Sequence, residues 1–185
     1  SVETGPRMAA SSKITINVKG KQGHGAQPHQ AVDAIVVASA IVMNLQTVVS
    51  RNVSALDSLV ITIGNIHSGS EWNVIPGEAQ MGGTIRFFDP DKEEYYVDSI
   101  RRVVEHTALA YGATAELIYD RKVPATINDV AASELAERVV IDTLGKEKLS
   151  KMRQVMPGED FAWYLQEKPG CFAFIGIQNP DVEAT

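Results

Sequence analysis

The sequence predicts an α+β fold: four antiparallel strands and two helices in the order β-α-β-β-α-β, followed by part of an α/β unit. Three observations carry this expectation. Short stretches with strand character, most of them alternating polar and apolar, recur at four places between Lys13 and Tyr119. Two longer stretches lie between those strands and repeat apolar residues at spacings of three and four. Beyond Pro124 the texture changes, and one apolar run is continuous rather than alternating.

The first strand is Lys13 to Val18, with Ile14, Ile16 and Val18 on one face. A glycine loop follows, in which Gly20, Gly23 and Gly25 enclose Lys21, Gln22 and His24. Pro28 precedes a helix predicted from about Gln30 to Val49. Ala34, Ala38, Ile41, Leu45 and Val48 form one stripe of it, but Val32, Ile35, Val36, Val37 and Val42 widen that stripe around the cylinder. Such a helix needs a cover on more than one side, its own sheet on one and a partner subunit on another.

Leu59 to Ile63 is the second strand, and a connection containing Trp72 and Pro76 leads to the third, Ala79 to Phe88. Asp89 and Pro90 give a helix start, with Asp as cap and Pro in the first turn. Val97, Ile100, Val104, Thr107, Ala108 and Tyr111 continue that helix to Gly112, and Thr114 to Tyr119 is the fourth strand. This is the split βαβ plan, a ferredoxin-like domain over residues 13–120, with an incoming strand and linker over 1–12. Residues 121–185 read as part of a second domain. There Asn128 is expected to cap a helix running to Leu144, and Cys171 to Ile175 to form a strand buried on both faces.

The 185 residues carry a net charge of −6 without a cluster of Lys or Arg, which argues against a general nucleic-acid binder. The first strand also lacks the aromatic pair that an RNA-binding sheet uses. A single cysteine, Cys171, excludes a disulfide framework within the chain and fits a reducing, cytoplasmic compartment. Ala31 to Val49 is the most apolar stretch, but Asp33, Ser39, Asn44, Gln46 and Thr47 interrupt it, so no membrane span is expected. Ser1 to Ala10 lacks the pattern of a signal peptide, and both termini read as cuts within a longer chain.

Four places hold residues suited to chemistry. His24 stands between two glycines, which let backbone and ring approach another molecule closely; His29, after Pro28, suits a structural role at the helix start. Asn73 opens Asn73-Val74-Ile75-Pro76 just before a strand, where a turn asparagine is common. Arg86 lies on the polar register of the third strand, where a guanidinium could clamp a carboxylate. Glu159 and Asp160 sit where the first turn of a helix favours negative charge in any protein.

In order and spacing these motifs resemble one family. Gly20-Lys21-Gln22-Gly23-His24-Gly25-Ala26-Gln27-Pro28-His29, then Val48-Val49-Ser50-Arg51-Asn52, Asn73-Val74-Ile75-Pro76, Gly83-Thr84-Ile85-Arg86 and Gly158-Glu159-Asp160-Phe161 are similar to the lid domain and following segment of aminoacylases, hippurate hydrolases and auxin-conjugate hydrolases. Gly5-Pro6 with Met8-Ala9-Ala10 is similar to the strand leading into that lid. The resemblance implies a homodimer through the lid and an amidohydrolase that cleaves N-acyl amino acids with two divalent metals, zinc or manganese. It implies that His24 reaches the neighbouring subunit's active site to stabilise the oxyanion, and that Asn73 and Arg86 bind the substrate carboxylate.

The family's metal-binding residues have no counterpart in this sequence, including the final ligand histidine expected soon after Gly176. No metal is therefore assigned to this chain, which alone is expected to be inactive. The competing expectation is a ferredoxin-like module that dimerises and binds a small molecule without catalysis.

Overall fold

The computed structural model describes residues 1–177. In chain order the elements are β1 (Gly5–Met8), β2 (Ala10–Lys19), β3 (Gly23–His24), α1 (Ala34–Thr47), β4 (Leu59–Ser68), β5 (Val74–Ile75), β6 (Glu78–Phe87), α2 (Glu93–Ala110), β7 (Thr114–Val123), β8 (Thr126–Asn128), α3 (Val130–Leu144) and α4 (Ala162–Glu167).

The main sheet has the order β4-β6-β2-β7, antiparallel throughout. Alternation along β2 sends Ile14, Ile16 and Val18 inward and leaves Lys13 and Lys19 exposed. Met81, Ile85 and Phe87 do the same from β6. Each fully buried side chain of this size stabilises the fold by roughly 1.5–3 kcal/mol. The predicted α+β, split βαβ architecture is the one formed, and three of its strands, β2, β4 and β7, run further than their patterns suggested. β4 continues past Ile63 because a bulge between Ile63 and Asn65 restores pairing as far as Ser68.

Two helices cover one face. The first begins at Ala34, later than the expected Gln30. Asp33 is the reason: its carboxylate accepts from the N–H groups of Ile35 (2.8 Å) and Val36 (3.3 Å). Upstream, Pro28–Gln30 makes one 3₁₀ turn, and Val32 pairs instead with Lys21. Ala34, Val37, Ala38, Ile41 and Leu45 are buried against the sheet, whereas Ile35, Val36 and Met43 stay exposed on the other side. The helical stretch Ala34–Asn52, which widens into a π-type turn over Val48–Asn52, has the length and apolarity of a membrane span. Its buried stripe is taken up by the sheet.

The second helix follows Asp89, which accepts from the Asp91 N–H, and a 3₁₀ turn at Pro90–Lys92. Its inward face carries Tyr96, Ile100, Val104 and Ala108, and Tyr96 meets Phe87 edge-to-face at 5.6 Å. Asn44 donates to Thr107 Oγ1 at 3.1 Å, tying α1 to α2. At the start of α2, Glu93 accepts from Tyr119 Oη (2.7 Å) and from both arms of Arg121. Burial pushes the Tyr119 phenol up to about 12, and its bond to Glu93 adds to that rise.

The flanking unit is smaller. β1 pairs with β8, and Val155 bridges Met8. Asp129, not the expected Asn128, caps α3 by accepting from Ala132 N–H at 2.9 Å. Asn128 is 3% exposed and turned inward, donating to the Glu3 and Phe172 carbonyls and accepting from the Phe172 N–H at 2.8 Å. Cys171 to Ile175 is not the doubly buried strand the sequence suggested. Phe174 exchanges two backbone bonds with Ser1, but Ile175 is 86% exposed. A strand buried on both faces needs neighbouring strands and a layer on each side, and among the described residues this stretch meets only Ser1, the Asn128 side chain and the tilted or edge-on rings of Phe161, Phe172 and Phe174. Most of the loop-like stretch expected from Gly176 to Thr185 lies outside the described residues.

Candidate active site

The histidine loop and the asparagine motif meet. Strands β3 and β5 pair antiparallel, His24 opposite Val74, and the Gly25 N–H donates to the Asn73 carbonyl at 2.9 Å. A Cβ at Gly25 would itself lie 2.9 Å from that carbonyl oxygen, so only glycine permits this approach. Asn73 is a central residue of a turn closed by Val74 N–H to Glu71 carbonyl. Both His24 and Asn73 are exposed at this end of the sheet.

The imidazole is oriented by its own loop. Its Nδ1 accepts from the Ala26 N–H at 3.1 Å, which puts the proton of the neutral ring on Nε2 and makes that nitrogen an outward donor. His29 sits in the 3₁₀ turn beside Gln30, five residues on and outside this arrangement.

Arg86 is elsewhere. It lies near the far end of β6, half-buried, with Nη1 bonded to Thr84 Oγ1 and the Ile85 carbonyl. Glu78 marks the Asn73 end of that strand, and a strand advances about 3.4 Å per residue, so Arg86 stands roughly 27 Å away. It shares its own end with another motif. Arg86 pairs with Ser11 across the sheet, and both face away from the helices. A Cβ at Gly158 would lie 2.9 Å from Ser11 Cβ. Gly158 also lies 2.7 Å, by the same measure, from Val123 Cγ2, so its turn is packed on the open face over β2 and β7, one strand across from Arg86. Glu159 accepts from the Phe161 N–H and Asp160 offers its carbonyl to Trp163, so both stand in the turn just before α4.

One chain thus presents two groups at opposite ends of a sheet: His24 with Asn73 at one, and Arg86, one strand across from the Gly158 turn, at the other. Neither fits a pair of metals, because no group of three or more His, Cys, Asp or Glu among the described residues is arranged to hold one. Two features escaped sequence reasoning. Asp33 interrupts an apolar run, and an Asp just before such a run is a capping signal. Trp72 falls in a connection without a pattern of its own, yet it is 95% exposed beside Asn73.

Residues 4–112 match the family model described as the peptidase dimerisation domain, which defines the class. The chain belongs to the M20 peptidase family. It is 40% identical over 184 residues to an N-acetylcysteine deacetylase of Bacillus subtilis (strain 168), covering 97% of this chain and 47% of that protein. It is 36% identical to the IAA-amino acid hydrolase ILR1-like 4 of Arabidopsis thaliana, covering 95% and 41%. Among solved structures, a putative aminohydrolase from methicillin resistant Staphylococcus aureus superposes with a TM-score of 0.84 at 32% identity, covering 92% of this chain and 44% of that one. A dinuclear metal binding peptidase of the M20 family from Bacillus subtilis gives 0.76 at 31%, covering 93% and 42%. The chain spans about half the length of the curated relatives it matches.

Proposed function

We propose that this chain is the lid domain, with residues 121–185 part of the catalytic domain, of an amidohydrolase that cleaves N-acyl amino acids, and that two copies complete each other's clefts. The observation that carries this reading is the separation of the two groups. No single substrate of that size spans roughly 27 Å of strand, but a two-fold dimer removes the distance. The β4 edge, Leu59–Ser68, carries no Lys, Arg, Asp or Glu, and beside it α1 exposes Ile35, Val36 and Met43. The opposite edge strand, β7, carries Glu116, Asp120, Arg121 and Lys122, charges that discourage pairing. Antiparallel pairing of two β4 strands keeps the open faces on one side. It also brings the Ser68 end of one copy, near its His24 and Asn73, alongside the Leu59 end of the other, near its Arg86.

An N-acyl amino acid presents one carboxylate at a fixed distance from its amide. Arg86 offers a planar fork and Asn73 an amide to that carboxylate. Nε2–H of His24 donates to the amide oxygen as negative charge grows on it, the role of an oxyanion donor. These residues bind, orient and polarise; the dinuclear chemistry of relatives would come from groups that the described residues do not supply.

The test uses the whole protein that carries this chain, with hippurate and N-acetyl amino acids as substrates. His24→Ala is expected to lower kcat by about 10²-fold or more, with bound metal unchanged. A parallel loss of metal would reassign His24 as a ligand. Absence of any hydrolysis by the unaltered protein would favour a non-catalytic binding module.

A further inference from the structure

The reading above leaves one large side chain unused. Trp72 is 95% exposed, although an indole is among the side chains that gain most from burial. Its backbone lies inside a turn. Trp72 and Asn73 are the two central residues of the Glu71–Val74 turn, and Gly25 N–H secures the Asn73 carbonyl at 2.9 Å. Trp72, Ile35, Gly25, Asp33 and Asn73 line a single open hollow of about 410 Å³. The apolar part of that wall that belongs to the same connection is Trp72 with Val74, Ile75 and Pro76.

We infer that Trp72 and this hollow receive the amino-acid side chain of the substrate, and not its acyl group. This rests on the reading of Asn73 as a carboxylate contact and His24 as the carbonyl contact. In an N-acyl amino acid the side chain and the carboxylate leave the same carbon, while the acyl group lies beyond the carbonyl. Along the paired strands His24 stands opposite Val74, Asn73 is one residue further out, and Trp72 one further still. The order His24, Asn73, Trp72 therefore leads away from the acyl group and past the carboxylate. A flat apolar wall placed there favours large apolar amino acids over glycine and alanine, since each methylene added to an apolar contact improves discrimination.

The experiment compares the unaltered protein, Trp72→Ala and Trp72→Phe, in the metal-loaded whole protein that carries this chain. One substrate series varies the amino acid under a constant acetyl group (glycine, alanine, leucine, phenylalanine). A second varies the acyl length on alanine. Trp72→Ala is expected to lower kcat/KM for the leucine and phenylalanine substrates by about 10-fold or more and to leave glycine and alanine within about 2-fold. Trp72→Phe should restore most of the loss, and lengthening the acyl group should not matter. As a readout independent of turnover, free leucine should change indole emission in the unaltered protein and not in Trp72→Phe. Equal losses across amino acids, a loss that follows acyl length, or conversion to a monomer by light scattering would each overturn the assignment while leaving the amidohydrolase reading intact. If the unaltered protein cleaves none of these substrates, that reading falls and this one with it.

Discussion

The sheet domain and the flanking unit are built from similar residues and reach different degrees of closure. In the first, every long strand and both helices turn an apolar face toward one another, and Ile14, Ile16, Ile41, Leu45, Met81, Ile85 and Ile100 are all fully buried. In the second, α3 buries only Ser133, while Leu135, Val139 and Leu144 stand 54–60% exposed. Ile175 and Ile177 are more exposed still. The difference teaches that apolar content alone does not make a core. A core needs a second layer at the right distance, and the four-stranded sheet provides one for itself.

The sharpest break of this comparison is a pair of truncations. Ile85→Ala, at the centre of the sheet, is expected to cost about 3 kcal/mol or more through lost burial and the cavity left behind. Leu135→Ala should stay within about 0.5 kcal/mol, as for other exposed sites. Urea unfolding followed by circular dichroism checks both, and comparable losses would erase the distinction between the two regions.

A smaller effect concerns pH. The Tyr119 phenol is raised to about 12 from an ordinary value of 10. A raised value means that the folded state favours the neutral phenol, so its contribution is complete below pH 10 and is lost between pH 10 and 12. Because the ring is only half buried, about 1 kcal/mol is expected rather than the full value of such a shift. Tyr119→Phe should therefore flatten the fall in urea midpoint over that window relative to the unaltered protein.

The last comparison, whose second arm is the smallest effect, is between two caps of the same chemistry. Asp33→Ala removes the acceptor at the start of α1 and should lower global stability by about 1 kcal/mol. Asp129→Ala removes the acceptor at α3. It should speed local amide exchange in α3 with little change in the unfolding midpoint, because that helix contributes so little to a shared core.

Much of the sheet domain was legible because its periodicities point at partners inside the same stretch of sequence. Ile14, Ile16 and Val18 need a helix layer, and α1 and α2 supply it. The failures have physical causes. Cys171 to Ile175 is apolar enough for a buried strand, but pattern does not reveal whether neighbours exist. Asn128 and Asp129 are both good caps, and the choice between them was decided by Asn128 being drawn inward to Phe172. The candidate site was legible as motifs and not as geometry. Asn73 and Arg86 are thirteen positions apart in sequence, which suggests neighbours, yet nearly the whole of β6 lies between them.

The length of that one strand bears on how the protein behaves when it is scarce. If a working cleft draws its parts from two molecules, output per molecule is not constant. It should decline as the preparation is diluted toward the dissociation constant of the pair, and recover on concentration without any change in temperature, acidity or added ligand. Abundance itself then acts as a threshold below which the chains, though folded, stand idle.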